Sequence, residues 1–369
     1  MMAYTESHIQ TSAAASWDHW SMTLLLLLGL LSGCAGHQRA SQIKQVQDSD
    51  VLVRSEYRHS AMGTLFRIVV YSDKGGNPAI AAKEAFDRVD EIEVVASDWN
   101  RESEIRTLCQ SAPHEQMVPV SADLANLLQK SVKIHQQTQG RFDISMGALT
   151  RLWRRCFLAK RLPTDSDLEQ ARRQTGMQFI ELDGGYAGLS EVAIDIDLGG
   201  IAKGYAVDEA LKIMQASGYR HSLVDGGGDM AFGPPAAATT GWKILLPSGP
   251  RRVTTAGAVA TSGDTQRNME IDGEKYSHIL NPLTGMGIRN SAMVTVFAED
   301  AATADAYATA YSVPGHWPPD GIPGLGGSPV AIECLYSQPE KKQRWGVMPG
   351  QIDLRGTTGT GEGDSRSVP

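Results

Sequence analysis

The sequence predicts an α+β fold, a single domain of mixed, largely antiparallel sheets with packed helices. Short β-branched and aromatic runs are interspersed with amphipathic stretches, without the regular βαβ order of a doubly wound sheet. An Asp272-Gly273 pair separates two short apolar runs, a hairpin signal that implies antiparallel pairing. The body of the chain of 369 residues contains neither an internal repeat nor a low-complexity break, so one continuous domain is its simplest organisation.

The elements follow in order. Residues 65–71 are a β-branched and aromatic run, which predicts a strand, and Ala81, Ala85, Val89, Ile92 and Val95 then recur at helical spacing. A second helix starts at Ser121, whose hydroxyl can cap the free N–H groups of the first turn. It carries Leu124, Leu127, Leu128 and Val132 on one face and stops before Gly140. Later strands are predicted over 222–224, 243–246 and 293–297, with hairpin arms over 269–271 and 276–280. An alanine-rich helix begins near Asp300. After Tyr311 the chain turns to Pro314, Pro318, Pro319 and Pro323 among several glycines, none of which continues a helix, and a strand is predicted again over 329–332.

Both ends read differently from the middle. The apolar run 24–31 is too short to span a bilayer, and it leads into Leu31-Ser32-Gly33-Cys34, which resembles the cleavage box of bacterial lipoproteins. Residues 1–33 are therefore expected to be a lipoprotein signal peptide, with Cys34 lipidated as the mature N-terminus. No Lys or Arg precedes Cys34, a departure from the usual basic start of such peptides. Residues 34–55 read as a tether, 56–355 as the folded domain and 356–369 as a disordered tail. The expected location is the periplasmic face of a bacterial membrane, with the inner membrane favoured.

A composition of 41% hydrophobic and 21% charged residues is that of a globular protein, and a net charge of -8 argues against nucleic acid or an anionic membrane surface as a partner. A polyanionic ligand would need local help from backbone N–H groups, a placed lysine and a divalent cation. The cysteines, Cys34, Cys109, Cys156 and Cys334, show no CxxC spacing and no disulfide framework.

Chemistry is concentrated in four segments. Asp197-Leu198-Gly199-Gly200-Ile201-Ala202-Lys203-Gly204-Tyr205 follows a strand-like apolar stretch and opens a helix that runs toward Gly218. Such a strand, glycine turn and helix N-terminus presents N–H groups to an anion, and Lys203 adds a mobile charge; a tight turn with a solvated lysine fits the segment equally well. Asp225-Gly226-Gly227-Gly228-Asp229 ends a strand with glycines that permit close backbone approach, to a ligand or simply to a neighbouring strand. Thr261-Ser262-Gly263-Asp264 leads through the hairpin to His278, which stands before a Pro and Gly turn and is a candidate general base. Asp305 and Thr309 lie one helical turn apart, so a carboxylate and a hydroxyl share a face. Two hard oxygens so placed suit a magnesium ion that keeps waters and takes phosphate oxygens, although an ordinary capped helix face has the same pattern.

In this order the segments resemble those of the ApbE-type FAD:protein FMN transferases. The match begins at Met62-Gly63-Thr64. It runs through Ser97-Asp98-Trp99, Ser103-Glu104-Ile105 and Gly140-Arg141-Phe142-Asp143 to the segments above, and closes at Ala304-Asp305 with Thr309. It covers roughly residues 56–311. The resemblance implies a T-fold-like flavin transferase domain in which Met62, Trp99, Arg141, Phe142, Asp143, Asp197, Lys203 and Ile279 surround FAD. It further implies that Asp305, Thr309 and the carbonyl of Gly200 bind the metal, Mg2+. Trp99 stands where the family usually has Tyr, and Ala308 where some members carry a second acid. The implied reaction is Mg-dependent transfer of the FMN moiety of FAD to a Thr or Ser hydroxyl of an acceptor protein exposed on the extracytoplasmic side, with release of AMP. The alternatives are an FAD pyrophosphatase giving FMN and AMP, or a non-catalytic flavin-binding lipoprotein.

Overall fold

The computed structural model describes residues 52–191, 193–237, 239–263, 268–271, 273–289, 292–313, 331–336, 342–345 and 352–353. The expected signal peptide, Cys34, the tether up to residue 51, the proline-rich stretch 314–330 and the tail lie outside them, as do Asp264 and Asp272.

The strands are β1 (Val53–Ala61), β2 (Thr64–Ser72), β3 (Val118–Pro119), β4 (Ile180–Asp183), β5 (Tyr186–Leu189), β6 (Ser222–Gly226), β7 (Asp229–Phe232), β8 (Trp242–Leu246), β9 (Gly249–Val253), β10 (Gly257–Gly263), β11 (Asn268–Ile271), β12 (Glu274–Ser277), β13 (Ala292–Ala298), β14 (Ala331–Tyr336), β15 (Lys342–Trp345) and β16 (Ile352–Asp353). The helices are α1 (Ala79–Ala96), α2 (Glu104–Gln110), α3 (Ala122–Gln137), α4 (Gly147–Ala159), α5 (Asp165–Arg173), α6 (Ala202–Ala216) and α7 (Ala301–Ser312). An eight-stranded sheet in the order β1-β2-β6-β7-β10-β13-β14-β15 is antiparallel at every pairing.

Period-2 alternation sorts the side chains of this sheet onto two faces. Phe66, Ile68 and Val70 of β2, Ala258 and Ala260 of β10, and Val294 and Val296 of β13 join a core with the buried stripes of α1, α6 and α7. The residues between them, Val69, Val259 and Phe297, pack against Trp242, Ile244, Leu246 and Val253 of the small sheet β16-β9-β8. A third cluster seats the β11–β12 hairpin through Met269, Tyr276 and Leu280 on Leu149, Leu152 and Trp153 of α4 and Leu168 of α5. Each fully buried large side chain, such as Phe66 or Tyr307, contributes roughly 1.5–3 kcal/mol of burial.

The α+β expectation matches this architecture, and Ser121 caps α3 by accepting from the Leu124 N–H. Three details differ. β1 begins at Val53, inside the segment read as a tether, because its register pairs Val53 with Ser72 of β2. The stretch before Asp197 is not a ladder strand. It makes a single parallel bridge, Met146 to Asp195, because the Asp195 side chain is buried in ion pairs with Arg106 and Arg151 rather than lying on a sheet face. The second hairpin arm stops at Ser277 instead of reaching residue 280. There the Ser277 hydroxyl accepts from the Ile279 N–H, and the chain pairs onward with Gly287 and Ile288.

Candidate functional site

Two hairpin tips and two helices meet at one end of the large sheet. Gly226 pairs with Asp229, so Gly227 and Gly228 form a two-residue turn, and their φ values of 74 and 105 are those such a turn needs. A Cβ at Gly227 would overlap the Thr64 hydroxyl, which places this turn against the neighbouring Met62-Gly63 turn. Met62 itself has φ 50, and its N–H donates to Glu93 Oε2 at 2.8 Å. The turn delivers Asp229 inward at the start of β7, while Asp225 is engaged by Arg67 at 2.9 Å and by the Gly228 N–H at 2.9 Å.

Lys203, in the first turn of α6, reaches both buried carboxylates, with Nζ 2.6 Å from Asp229 Oδ2 and 3.2 Å from Asp305 Oδ2. The Gly204 N–H adds a longer bond of 3.4 Å to the same Asp305 oxygen. This closeness depends on glycine at 204, since a Cβ there would overlap the Ala301 carbonyl of α7. One turn along α7, Thr309 Oγ1 lies 3.4 Å from Ser262 Oγ, and a Cβ on Gly200 would stand 3.1 Å from Thr309 Oγ1 and 3.3 Å from the Phe142 ring. Gly200 thus packs on Thr309, while Asp305, one turn earlier on α7, is reached by Lys203 and the Gly204 N–H. Asp208, on α6, accepts from the Ala301 and Ala302 N–H groups at 2.7 and 2.9 Å and ties the start of α7 to α6.

The charges are mutually dependent. Burial alone would lower the Lys203 ammonium, but Asp229 and Asp305 outweigh it and hold the group above the usual lysine range. Burial, followed by the negative charge of Asp305, pushes the Asp229 carboxyl up, against the opposing pull of Lys203.

A second group of residues, with Arg154 of α4 at its centre, lies beside Asp197 and the Gly199-Gly200 turn. The Arg154 guanidinium stacks 4.0 Å from the centroid of Trp99, pairs with Asp98 at 2.5 Å and lies 3.9 Å from Asp197. Asp197 Oδ1 in turn accepts from the Gly199 N–H at 2.8 Å. Burial and the nearby charge of Asp197 raise the Asp98 carboxyl. Trp99 is 73% exposed, which leaves ring surface open to a planar ligand.

The remaining predicted residues divide. Phe142 is buried against Gly200, and its carbonyl accepts from His135 Nδ1 at 2.8 Å. Arg141 donates to the Thr138 carbonyl, and Asp143 accepts from the N–H and hydroxyl of Ser145 and lies 3.9 Å from His135 of α3. Ile279 is buried, and its carbonyl accepts from the Ile288 N–H. His278 is exposed in the bend after β12. The following turn, 281–285, is held by Trp153 Nε1, which donates to the Gly285 carbonyl at 2.7 Å, and by Arg172, which donates to the Thr284 carbonyl.

Sequence reasoning assigned no role to Asp229, Arg154 or Asp208. The acid closing the triple-glycine turn and the basic cluster Arg151, Arg154 and Arg155 were the signals available. Among the described residues no group of three or more His, Cys, Asp or Glu could hold a metal, so a cation here must draw on hydroxyl and carbonyl oxygens. A separate cavity of about 490 Å³ is lined by Lys130, Lys133, Tyr205, Lys212 and Asp300, but by neither Lys203 nor Asp305. Its lysines Lys130 and Lys212 are already paired with Asp300 and Glu209.

A model described as the ApbE family matches residues 62–318. The chain is similar to the FAD:protein FMN transferase of Treponema pallidum, 28% identical over 89% of this chain and 94% of that one. It is likewise similar to the enzyme of that name from Vibrio cholerae, 28% identical over 80% and 88%. Among solved structures, the ApbE protein of Thermotoga maritima aligns with a TM-score of 0.65 at 30% identity, covering 76% of this chain and 94% of that one. The flavin transferase ApbE of Vibrio cholerae aligns with a TM-score of 0.69 at 23% identity, covering 80% and 97%, a likeness of fold.

Proposed function

The chain belongs to the ApbE family, and on that premise we propose that it transfers the FMN moiety of FAD to a Thr or Ser hydroxyl of an acceptor protein and releases AMP. The observation that carries this reading in the structure is Lys203 held between Asp229 and Asp305 beside the Gly199-Gly200 turn. A lysine, a glycine turn and the start of α6 together answer a pyrophosphate, the group that FAD has and riboflavin lacks.

In the reaction the acceptor oxygen forms a bond to the FMN phosphorus, the phosphoanhydride bond to AMP breaks, and the hydroxyl proton moves to a base. Such chemistry asks a protein mainly for positioning and charge neutralisation. Lys203 neutralises phosphate oxygens, and Trp99 offers an aromatic face for the flavin ring, oriented by Arg154. His278 takes the proton, and its exposed turn admits an acceptor as large as a protein.

The residues present fit a magnesium ion. Asp305 would supply a carboxylate, Thr309 a hydroxyl and Gly200 a carbonyl, and Gly200 packs closely on the Thr309 hydroxyl. A magnesium ion held there would supply positive charge to offset that of the pyrophosphate and of the departing AMP. Cys34 carries a lipid in this reading, which anchors the domain at the periplasmic face of a bacterial membrane with its acceptor. No helix among the described residues is long and apolar enough to cross a membrane.

Incubation of the protein with FAD, magnesium and a candidate acceptor tests the proposal. The expected products are acceptor-bound FMN and AMP in equal amounts. Free FMN with AMP would instead mark a pyrophosphatase, and unchanged FAD a flavin carrier.

A further inference from the structure

We propose that Asp229 is a positioning residue of the cation site, which retains the Lys203 ammonium so that Asp305 is free to bind a divalent cation. The inference rests on the reading of Asp305 as a cation ligand. Lys203 Nζ is 2.6 Å from Asp229 and 3.2 Å from Asp305, so the ammonium is shared unequally and favours the carboxylate of β7. Both carboxylates are 3% exposed, and a buried charge without a partner is strongly unfavourable. When both carboxylates are ionised, one ammonium between them leaves the group one positive charge short.

A divalent cation on Asp305 supplies that charge, but it repels an ammonium left on the same oxygen. Asp229 removes the conflict, because Lys203 keeps its shorter ion pair when its longer one is given up. Asp225 is not placed to substitute, since its oxygens are taken by Arg67 and the Gly228 N–H. The hairpin pairing of Gly226 with Asp229 fixes the carboxylate at this point, which gives the triple-glycine turn its purpose. Asp229 therefore acts through Lys203 and not as a ligand.

Direct binding of Mn2+ to the full chain without FAD, followed by electron paramagnetic resonance of the free ion, tests this without reference to turnover. With Asp229→Asn the ammonium has only Asp305, so the Mn2+ dissociation constant should rise about tenfold or more, a coupling of the size expected between neighbouring charges. Asp229→Glu, which keeps the charge, should recover most of the affinity. Lys203→Gln should not weaken binding, and in that background Asp229→Asn should change the constant by less than about twofold. An unchanged constant for Asp229→Asn overturns the proposal, and so does an equal loss in the presence and absence of Lys203, which would make Asp229 a ligand itself. If Asp305→Ala binds Mn2+ as wild type does, the reading of Asp305 has failed, an outcome distinct from either of these.

Discussion

Lys203, Asp305 and Thr309 lie on α6 and α7, packed against the large sheet, whereas His278 lies exposed just after the small hairpin seated on α4. In the first region every charge has a charged neighbour, and the helix backbones are close enough that only glycine fits at residue 204. In the second, side chains of α4 and α5 hold the neighbouring 281–285 turn by its carbonyls, and the histidine before it is exposed. The difference follows from what each must meet. A phosphate and a cation need fixed charges away from water, because a low effective dielectric strengthens their attraction. A macromolecular acceptor needs an accessible base.

Substitutions on the two sides should therefore fail in different ways. His278→Ala should lower transfer by about 10²–10⁴-fold, with FAD affinity nearly unchanged, since a general base acts on rate more than on ground-state binding. Single-turnover transfer beside equilibrium FAD binding measures both, and a wild-type rate would place the base elsewhere. Lys203→Gln should weaken FAD by about tenfold, in line with loss of a charge-assisted contact, and leave riboflavin affinity unchanged. Equal losses for the two ligands in a fluorescence titration would mean that Lys203 does not serve the pyrophosphate.

Gly204→Ala tests the closeness of the two helices. Its Cβ would overlap the Ala301 carbonyl, so α7 must shift, at a cost of about 1–3 kcal/mol in urea unfolding. The same change at Gly273, where a Cβ meets nothing within 4 Å, should matter only through its φ of +79. The smallest effect concerns Asp208, whose carboxyl is pushed up to about 7 by burial and then by the charge of Asp300, against two N–H bonds from α7. Its folded pKa lies above the unfolded value, so the folded state holds a proton that the unfolded state lacks between about pH 4 and pH 7. The stability from this group is complete below that window and is lost as the pH rises through it. The Tm of wild type relative to that of Asp208→Asn, followed from pH 4 to pH 8, should fall as pH rises; a constant difference would mean that Asp208 does not change its ionisation across this range.

Much of this arrangement was legible in the residues, for reasons that also set the limit. The helices α1, α3 and α7 and the strand β2 carry periodic burial or a capping side chain, both local signals. Asp305 and Thr309 could be paired because one helical turn separates them. By contrast, Asp229 meets Lys203 only because β6, β7 and α6 pack together, and Arg154 meets Trp99 only through the seating of α4. Neither contact has a sequence period. The strand expected before Asp197 was misread because an apolar run with a buried Asp195 resembles a strand, while two arginines settle its actual course. The role of Asp208 was hidden likewise, since its partners are backbone groups of a helix about ninety residues away.

The central claim, that the α6 and α7 side of the site holds the cation on which transfer depends, is tested most directly by a magnesium titration of FMN transfer with wild type, Asp305→Ala and Asp305→Asn. Wild-type activity should vanish on chelation and return with magnesium. Asp305→Ala should stay nearly inactive while remaining folded, since alanine is the best helix former, and Asp305→Asn should recover part of its rate only at high magnesium. Wild-type transfer that survives thorough chelation, or an alanine variant with an unchanged magnesium midpoint, would contradict the account.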